Sequence, residues 1–281
     1  VAVPEDILTM AAGMRAKGMA FAMATVVRTV AVTAAKAGAK ALIASDGCIF
    51  GGWIGGGCAR SAVIKAATAA LADGRPRLIS VQPQDILAEQ GIKAGEAKNG
   101  IEFAKTMCPS RGTMDIFIEP FLPRPHLIIC GASPVAVALA ELASRMGFLV
   151  SVAAASSEHG KFGSADRMID DLPSGERADY IVVATQGTGD AAALRAALTV
   201  ESRYLAFVGS RQKAAALKAK LEDLGVSPER LASLRAPAGL DLGAITPDEI
   251  ALSIVAEMIE VRRLGQRQSS GFHAGIAVLD P

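Results

Sequence analysis

From Leu127 onward the chain alternates short apolar runs with amphipathic stretches of helical length, and that alternation is the mark of a parallel sheet. Apolar strands are expected at 127–130, 149–153, 180–184 and 204–208. Between them, Val135, Leu139, Leu142 and Met146 make one face of a helix, and Ala214, Leu217, Leu221 and Leu224 make one face of another. Thr246-Pro247-Asp248-Glu249 reads as a capping box with proline in the first helical position, opening a last helix to about residue 263. The Gly/Ser/Gln-rich stretch from Gly265 is expected to be a loosely held tail.

The first 119 residues follow a different rule. Ile7, Met10, Ala11 and Met14 have helical spacing, whereas residues 20–29 are rich in β-branched side chains and read as a strand. A second apolar run, 41–44, leads into Ser45-Asp46-Gly47, a hairpin-turn signal, with 48–54 as the return strand. Ala62, Val63, Ala66, Ala67, Ala70 and Leu71 line one face of a helix over 59–71, with Gly74 where a C-cap belongs. Strands are expected at 77–81 and 114–119. Three prolines in Pro120-Phe121-Leu122-Pro123-Arg124-Pro125 mark a linker, because proline continues neither a helix nor a central strand. The expected fold class is therefore α/β: an α+β domain over 1–119, a linker over 120–125, a parallel-sheet domain over 126–264 and a tail over 265–281.

A chain of 281 residues that is 51% hydrophobic has enough apolar surface for two cores. Its formal net charge of +1 argues against a nucleic-acid or anionic-membrane partner. No apolar run reaches the ~20 residues that a membrane helix needs, and the first residues lack the pattern of a secretory signal. The four cysteines, Cys48, Cys58, Cys108 and Cys130, form no C-x-x-C pair, which fits a reduced, cytoplasmic setting. With three histidines and no H-E-x-x-H, no metal site of the zinc-hydrolase kind is expected.

Four segments carry chemistry. In Ile54-Gly55-Gly56-Gly57-Cys58 the glycines bare backbone N–H groups and the cysteine falls in the first turn of a helix, where the macrodipole favours a thiolate. Such a thiol can attack, accept sulfur or bind a soft metal; the other reading is a glycine hinge before a small buried cysteine. Cys108, in Met107-Cys108-Pro109-Ser110-Arg111, is either a second thiol at that site or part of a turn. Cys48 reads as a hairpin residue and Cys130 as core. Gly131-Ala132-Ser133-Pro134-Val135-Ala136 lies between strand and helix, where a Rossmann fold grips a pyrophosphate. There Ser133 replaces the second glycine of the fingerprint, and 153–157 offers no acid for a ribose. Gly209-Ser210-Arg211 follows a strand and opens a helix; it is either an anion site or a cap turn with an exposed guanidinium.

Together these residues resemble one family. Residues 24–29, Gly38-Ala39-Lys40, Asp46-Gly47 and the Gly55–Cys58 loop resemble the N-terminal domain of the XdhC/CoxF family, the maturation factors of xanthine dehydrogenase and CO dehydrogenase. Gly209-Ser210-Arg211 with Lys213, residues 237–244 and Thr246–Ala251 resemble its C-terminal Rossmann-like domain. Departures at 32–36, 131–134 and 108–110 lean toward the CO dehydrogenase accessory branch. The resemblance implies an accessory protein rather than an enzyme. It implies transient binding of the molybdenum cofactor, its sulfuration with a cysteine desulfurase, delivery to an apo molybdenum hydroxylase, and a homodimer. Cys58, with Cys108, would carry the chemistry. Gly55, Gly56 and Gly57 would approach the cofactor, and Arg28, Lys36, Lys40 or Arg211 would meet its phosphate. Gly131, Ser133, Gly209, Ser210 and Asp241 would supply contacts in the second domain. The alternatives are an NAD(P)-dependent oxidoreductase using the second domain, against which the broken fingerprint argues, and an assembly partner with no ligand.

Overall fold

A computed structural model describes residues 6–107, 111–172 and 178–268, with Cys58 and residues 265–268 described by backbone alone. The chain divides into two compact units, Val1–Pro123 and Arg124–Pro281.

The first unit runs α1 (Ile7–Ala16), β1 (Phe21–Val30), β2 (Lys40–Ala44), β3 (Ile49–Gly52), α2 (Gly57–Asp73), β4 (Arg77–Pro83), α3 (Gln84–Glu89), β5 (Ala97–Lys98), β6 (Ile101–Thr106) and β7 (Thr113–Phe121). Its strands form one sheet in the order β3-β2-β1-β7-β4-β6-β5. Only β4 and β6 run parallel; every other neighbouring pair is antiparallel. Alternation sends Ala22, Ala24, Val26, Ile79, Val81, Met114, Ile116 and Ile118 to one face, where they bury Val63, Ala66, Ala67 and Ala70 of α2. On α2 the contact is made mostly by alanine, against mainly larger side chains on the sheet. On the opposite face Phe21 and Leu42 pack against Ala11 and Met14 of α1, and Leu87, Ile92 and Phe103 form a satellite cluster.

The second unit runs β8 (His126–Cys130), α4 (Pro134–Arg145), β9 (Leu149–Ala153), a 3-10 turn (Ser156–Lys161), β10 (Arg167–Ile169), β11 (Tyr180–Val183), α5 (Asp190–Thr199), β12 (Tyr204–Phe207), α6 (Arg211–Asp223), α7 (Pro228–Ala232), β13 (Leu234–Arg235) and α8 (Pro247–Gln268). Its sheet is parallel throughout, in the order β10-β9-β8-β11-β12-β13. Numbered within the unit this is 3-2-1-4-5-6, the doubly wound Rossmann order. Leu127 and Ile129 point to a core shared with α4 and α8, while Ile128 and Cys130 point to one shared with α5 and α6. Burial on both faces explains why these strands are continuously apolar. The carboxylate of Glu257, on α8, ties this unit together. It accepts from the Tyr204 hydroxyl at 2.6 Å, the Arg235 guanidinium at 2.7 Å and the Gly239 N–H at 2.9 Å.

The α/β class and the Rossmann-like second half agree with the sequence reading. The capping box forms as expected: Glu249 accepts from the Thr246 N–H at 2.9 Å, and its own N–H donates to the Thr246 hydroxyl at 3.3 Å. Three boundaries differ. The return strand of the first hairpin spans Ile49–Gly52 rather than 48–54, because Cys48 belongs to the turn, its N–H donating to Asp46. Pro120 and Phe121, expected in the linker, end β7 opposite Ala22 and Phe21. The proline is tolerated because β4 reaches only as far as Ile118, so no ladder partner there waits for the missing N–H. Finally, α8 continues to Gln268, taking in the first residues of the expected tail; residues 269–281 lie outside the described residues.

Candidate functional sites

In the first unit the glycine loop delivers the chain into the longest helix of its fold. Gly55 has φ +104°, and a Cβ there would sit 3.4 Å from the Met114 methyl and 3.6 Å from Ala59, so the loop lies close on the end of the core. Helix α2 then starts at Gly57, with Gly56 as N-cap. No side chain caps this end and no acid stands in the first turn, so its amides remain available to an outside acceptor. Cys58 is the second residue of the helix, as the sequence implied.

Beside this helix start is a hollow of about 680 Å³ lined by Gly57, Ser61 and Lys65 of α2 and by Gly95, Phe103 and Lys105. Gly57, Ser61 and Lys65 recur every fourth residue and so share one helix face. Lys65 and Ser61 supply an ammonium and a hydroxyl for an anionic group; Glu102, paired with Arg77, also lines the hollow, and Lys105, in register with Gln82, carries its side chain on the other face of the sheet. Sequence reading missed Lys65. The four-residue spacing from the glycine–cysteine loop was the available signal for Lys65.

The cations expected at this loop are placed otherwise. Arg28 donates to Asp115 at 2.5 Å, and Asp115 also accepts from the Ser80 hydroxyl at 2.6 Å. Gln82 donates to Ser80 at 2.8 Å, while its buried carbonyl oxygen has no partner among the described residues. Met114 and Ile116 face α2, so Asp115 and its partners lie on the other face of the sheet. Lys40 donates to the Thr25 hydroxyl at 3.0 Å, on that same far face, and Lys36 is exposed in the loop before β2. Arg28 and Lys40 therefore do not share a face with the start of α2. Cys108 lies outside the described residues. Of its neighbours, Met107 is exposed, and Arg111 pairs with Asp85 and bridges to Val32.

In the second unit the carboxyl ends of β8, β9, β10 and β11 enclose a crevice of about 670 Å³. This is the point where the strand order reverses, the usual ligand position in open parallel sheets. Gly131 has φ +107°, and a Cβ there would stand 2.7 Å from the Ala184 carbonyl oxygen, so glycine is required where the loops after β8 and β11 meet. Ser133 caps α4, its hydroxyl accepting from the Ala136 N–H at 3.2 Å, and Pro134 fills the first helical position. The 153–157 stretch lacks an acid, but the crevice does not: Glu158 and, from the end of β10, Asp170 and Asp171 line it. Sequence reading missed Asp170 and Asp171 because β10 is only three residues long, and Glu158 because it lies in the 3-10 turn just past that stretch.

On the other side of the crevice, Asp190 opens α5 and is buried. It accepts from the Thr185 hydroxyl and from the Gly187 N–H at 3.0 Å, and pairs with Lys213 at 2.5 Å. Burial alone would raise the pKa of this carboxyl; Lys213, Thr185 and Gly187 outweigh it and hold the group below its ordinary value. Cys130 lines the crevice floor, and burial pushes its thiol up to about 12, consistent with a core role. Gly209, Ser210, Arg211 and Asp241 do not line the crevice. Ser210 caps α6 through the Lys213 N–H at 3.2 Å, and Arg211 meets Asp241 at 3.2 Å with both side chains more than 80% exposed. Among the described residues no helix is long and apolar enough to cross a membrane.

The architecture is that of a Rossmann unit joined to a mixed-sheet unit whose main helix starts with glycines and a cysteine. Residues 127–258 match the model of the XdhC Rossmann domain, and residues 14–82 match that of the XdhC and CoxI family. The chain belongs to the XdhC family. It is 31% identical over 272 residues to the uncharacterized protein YqeB of Escherichia coli K12, covering 92% of this chain and 46% of that protein. It is 32% identical over 162 residues to a probable xanthine dehydrogenase component of Bacillus subtilis 168, covering 54% of this chain and 47% of that one. The chain thus spans about half the length of the curated relatives it matches. A crystal structure described as a xanthine dehydrogenase from Bacillus halodurans aligns over 94% of this chain and 98% of that one, with TM-score 0.46 and 21% identity.

Proposed function

We propose that this chain is an accessory factor for a molybdenum hydroxylase of the xanthine or CO dehydrogenase type. In this reading it binds the molybdenum cofactor as cargo, holds it while a cysteine desulfurase supplies the terminal sulfur, and delivers it to the apo-enzyme. The observation that carries the reading is the family's glycine–cysteine loop at the uncapped start of α2, beside a hollow lined by Ser61 and Lys65. Molybdenum in a dithiolene is matched by a thiol, and the cofactor's phosphate by Lys65 and the first amides of α2. Similarity to the Bacillus subtilis protein, a probable xanthine dehydrogenase component, supports a xanthine dehydrogenase as client.

The test is the molybdenum and pterin content of protein purified from a molybdopterin-competent host, wild type beside Cys58→Ala. Alanine is the best helix former, so the variant should keep α2, which circular dichroism checks. Stoichiometric cofactor in wild type and its loss in the variant support the reading. Cofactor retained in Cys58→Ala moves the site away from the loop, and none in wild type, even after reconstitution with released cofactor, removes the reading. Sedimentation of the loaded protein tests the homodimer.

A second reading, an NAD(P)-dependent oxidoreductase, is favoured by the Rossmann strand order and its crevice. Low-micromolar binding in fluorescence titrations with NADH or NADPH would support it.

A further inference from the structure

We infer that the crevice of the second unit binds a nucleoside group by its sugar hydroxyls and has no clamp for a diphosphate. The crevice and the Cys58 loop belong to different units, so this inference is independent of the cofactor-handling reading, and either can fail alone.

The hollow of about 670 Å³ sits at the switch point of a 3-2-1-4-5-6 sheet and is large enough for a nucleotide. Its two anion positions are closed from within. At the start of α4, the residue after the second fingerprint position is Pro134, which has no N–H to offer a phosphate. The side chain of Ser133 takes up the Ala136 N–H and stands where a glycine would admit the ligand. At the loop before α5, the chain supplies its own anion: Asp190 takes the Thr185 hydroxyl, the Gly187 N–H and the Lys213 ammonium. A pyrophosphate laid across this crevice would meet a proline and a serine side chain at one loop and a carboxylate at the other, with the Ala136 and Gly187 amides already bonded.

The sugar end is the opposite case. Glu158, Asp170 and Asp171 line the hollow beside β9 and β10, the part of a Rossmann sheet that receives a ribose. Glu158 pairs with Lys161, and Asp170 accepts from the Ser156 hydroxyl at 2.6 Å, so these two are positioned by neighbours. Asp171 has no partner among the described residues and is exposed. Carboxylates accept hydrogen bonds and offer none. They match a vicinal diol, and they repel a phosphate on the 2′ oxygen.

The test titrates the full chain by calorimetry and saturation-transfer NMR with adenosine, guanosine, cytidine and uridine, their 2′,3′-dideoxy forms, NAD+ and NADP+. The expected result is binding of at least one nucleoside, roughly tenfold or greater weakening of its dideoxy form, NAD+ no tighter than that nucleoside, and NADP+ weaker than NAD+. Asp171→Asn should weaken the nucleoside without changing the fold. Failure of every nucleoside to bind overturns the inference. So does equal binding of the dideoxy form, or binding of NAD+ or NADP+ about a hundredfold tighter than any nucleoside. The dideoxy comparison needs no variant, so misfolding cannot imitate its result.

Discussion

Replacing Glu257 with alanine should destabilise the second unit alone, by about 3 kcal/mol. The side chain is 8% exposed and accepts three hydrogen bonds. Its loss strands the hydroxyl of Tyr204, a residue 1% exposed, and an orphaned buried donor costs about 1–3 kcal/mol. The Gly239 N–H, part-buried, adds about 1 kcal/mol. Arg235, whose side chain is 45% exposed, returns to water at little cost. For a unit of this size about 3 kcal/mol lowers Tm by roughly 6–12 °C. The chain carries its own reporters. Tyr180 and Tyr204 are its two tyrosines, both in the second unit, and Trp53, in the first, is its one tryptophan. Near-ultraviolet circular dichroism of tyrosine should therefore show the early transition, while Trp53 emission should melt as in wild type. Tyr204→Phe in the Glu257→Ala background removes the stranded hydroxyl and should recover about 1 kcal/mol or more. A Tm drop below about 2 °C, or no recovery in the double variant, would refute the assignment of the cost to an orphaned donor.

Three further outcomes are expected. Asp190 has a folded pKa below its ordinary 3.8, so its contribution is fully present above that value and is lost as pH falls through the lower folded value; Asp190→Asn should flatten this acid limb of an unfolding-versus-pH curve. Gly131→Ala, strained at φ +107° and meeting the Ala184 oxygen, should cost about 2 kcal/mol or more in urea unfolding, with loss of ligand binding in the crevice. With iodoacetamide at neutral pH, peptide mapping should find exposed Cys48 modified in the native protein and buried Cys130 modified only after unfolding.

What the sequence made legible follows from the length of the signal. Strands buried on both faces, such as Tyr180–Val183, and long capped helices, such as Pro247–Gln268, carry enough apolar residues or cap chemistry to declare themselves. Strands of two or three residues, Ala97–Lys98, Arg167–Ile169 and Leu234–Arg235, hold too few positions for any period to register. The sites divide similarly. A glycine–cysteine loop is local and was read directly, as was the damaged fingerprint at Gly131. Lys65 with Gly95, and Glu158 with Asp170, are brought together only by strand pairing and helix packing across intervening chain. Arg28 was grouped with the loop on charge alone; its register opposite Asp115, on the face turned from α2, is decided by a bulge after Val26 that no composition announces.

The pairing of β1 with β7 has a consequence for synthesis. Phe21 leaves the ribosome well before Phe121, yet it waits for that ring, on which it stacks at 4.9 Å. Until that stretch emerges, β1 and β4 lack the strand between them, and two sheet edges stand open on the nascent chain. The first unit must therefore close late and at once, whereas the second can assemble from neighbouring strand–helix–strand steps as they are translated. A fragment cut at Glu119, before the proline that looks like a stop, would remove the ring on which Phe21 stacks and leave Phe21 and Ala22 without their β7 partners.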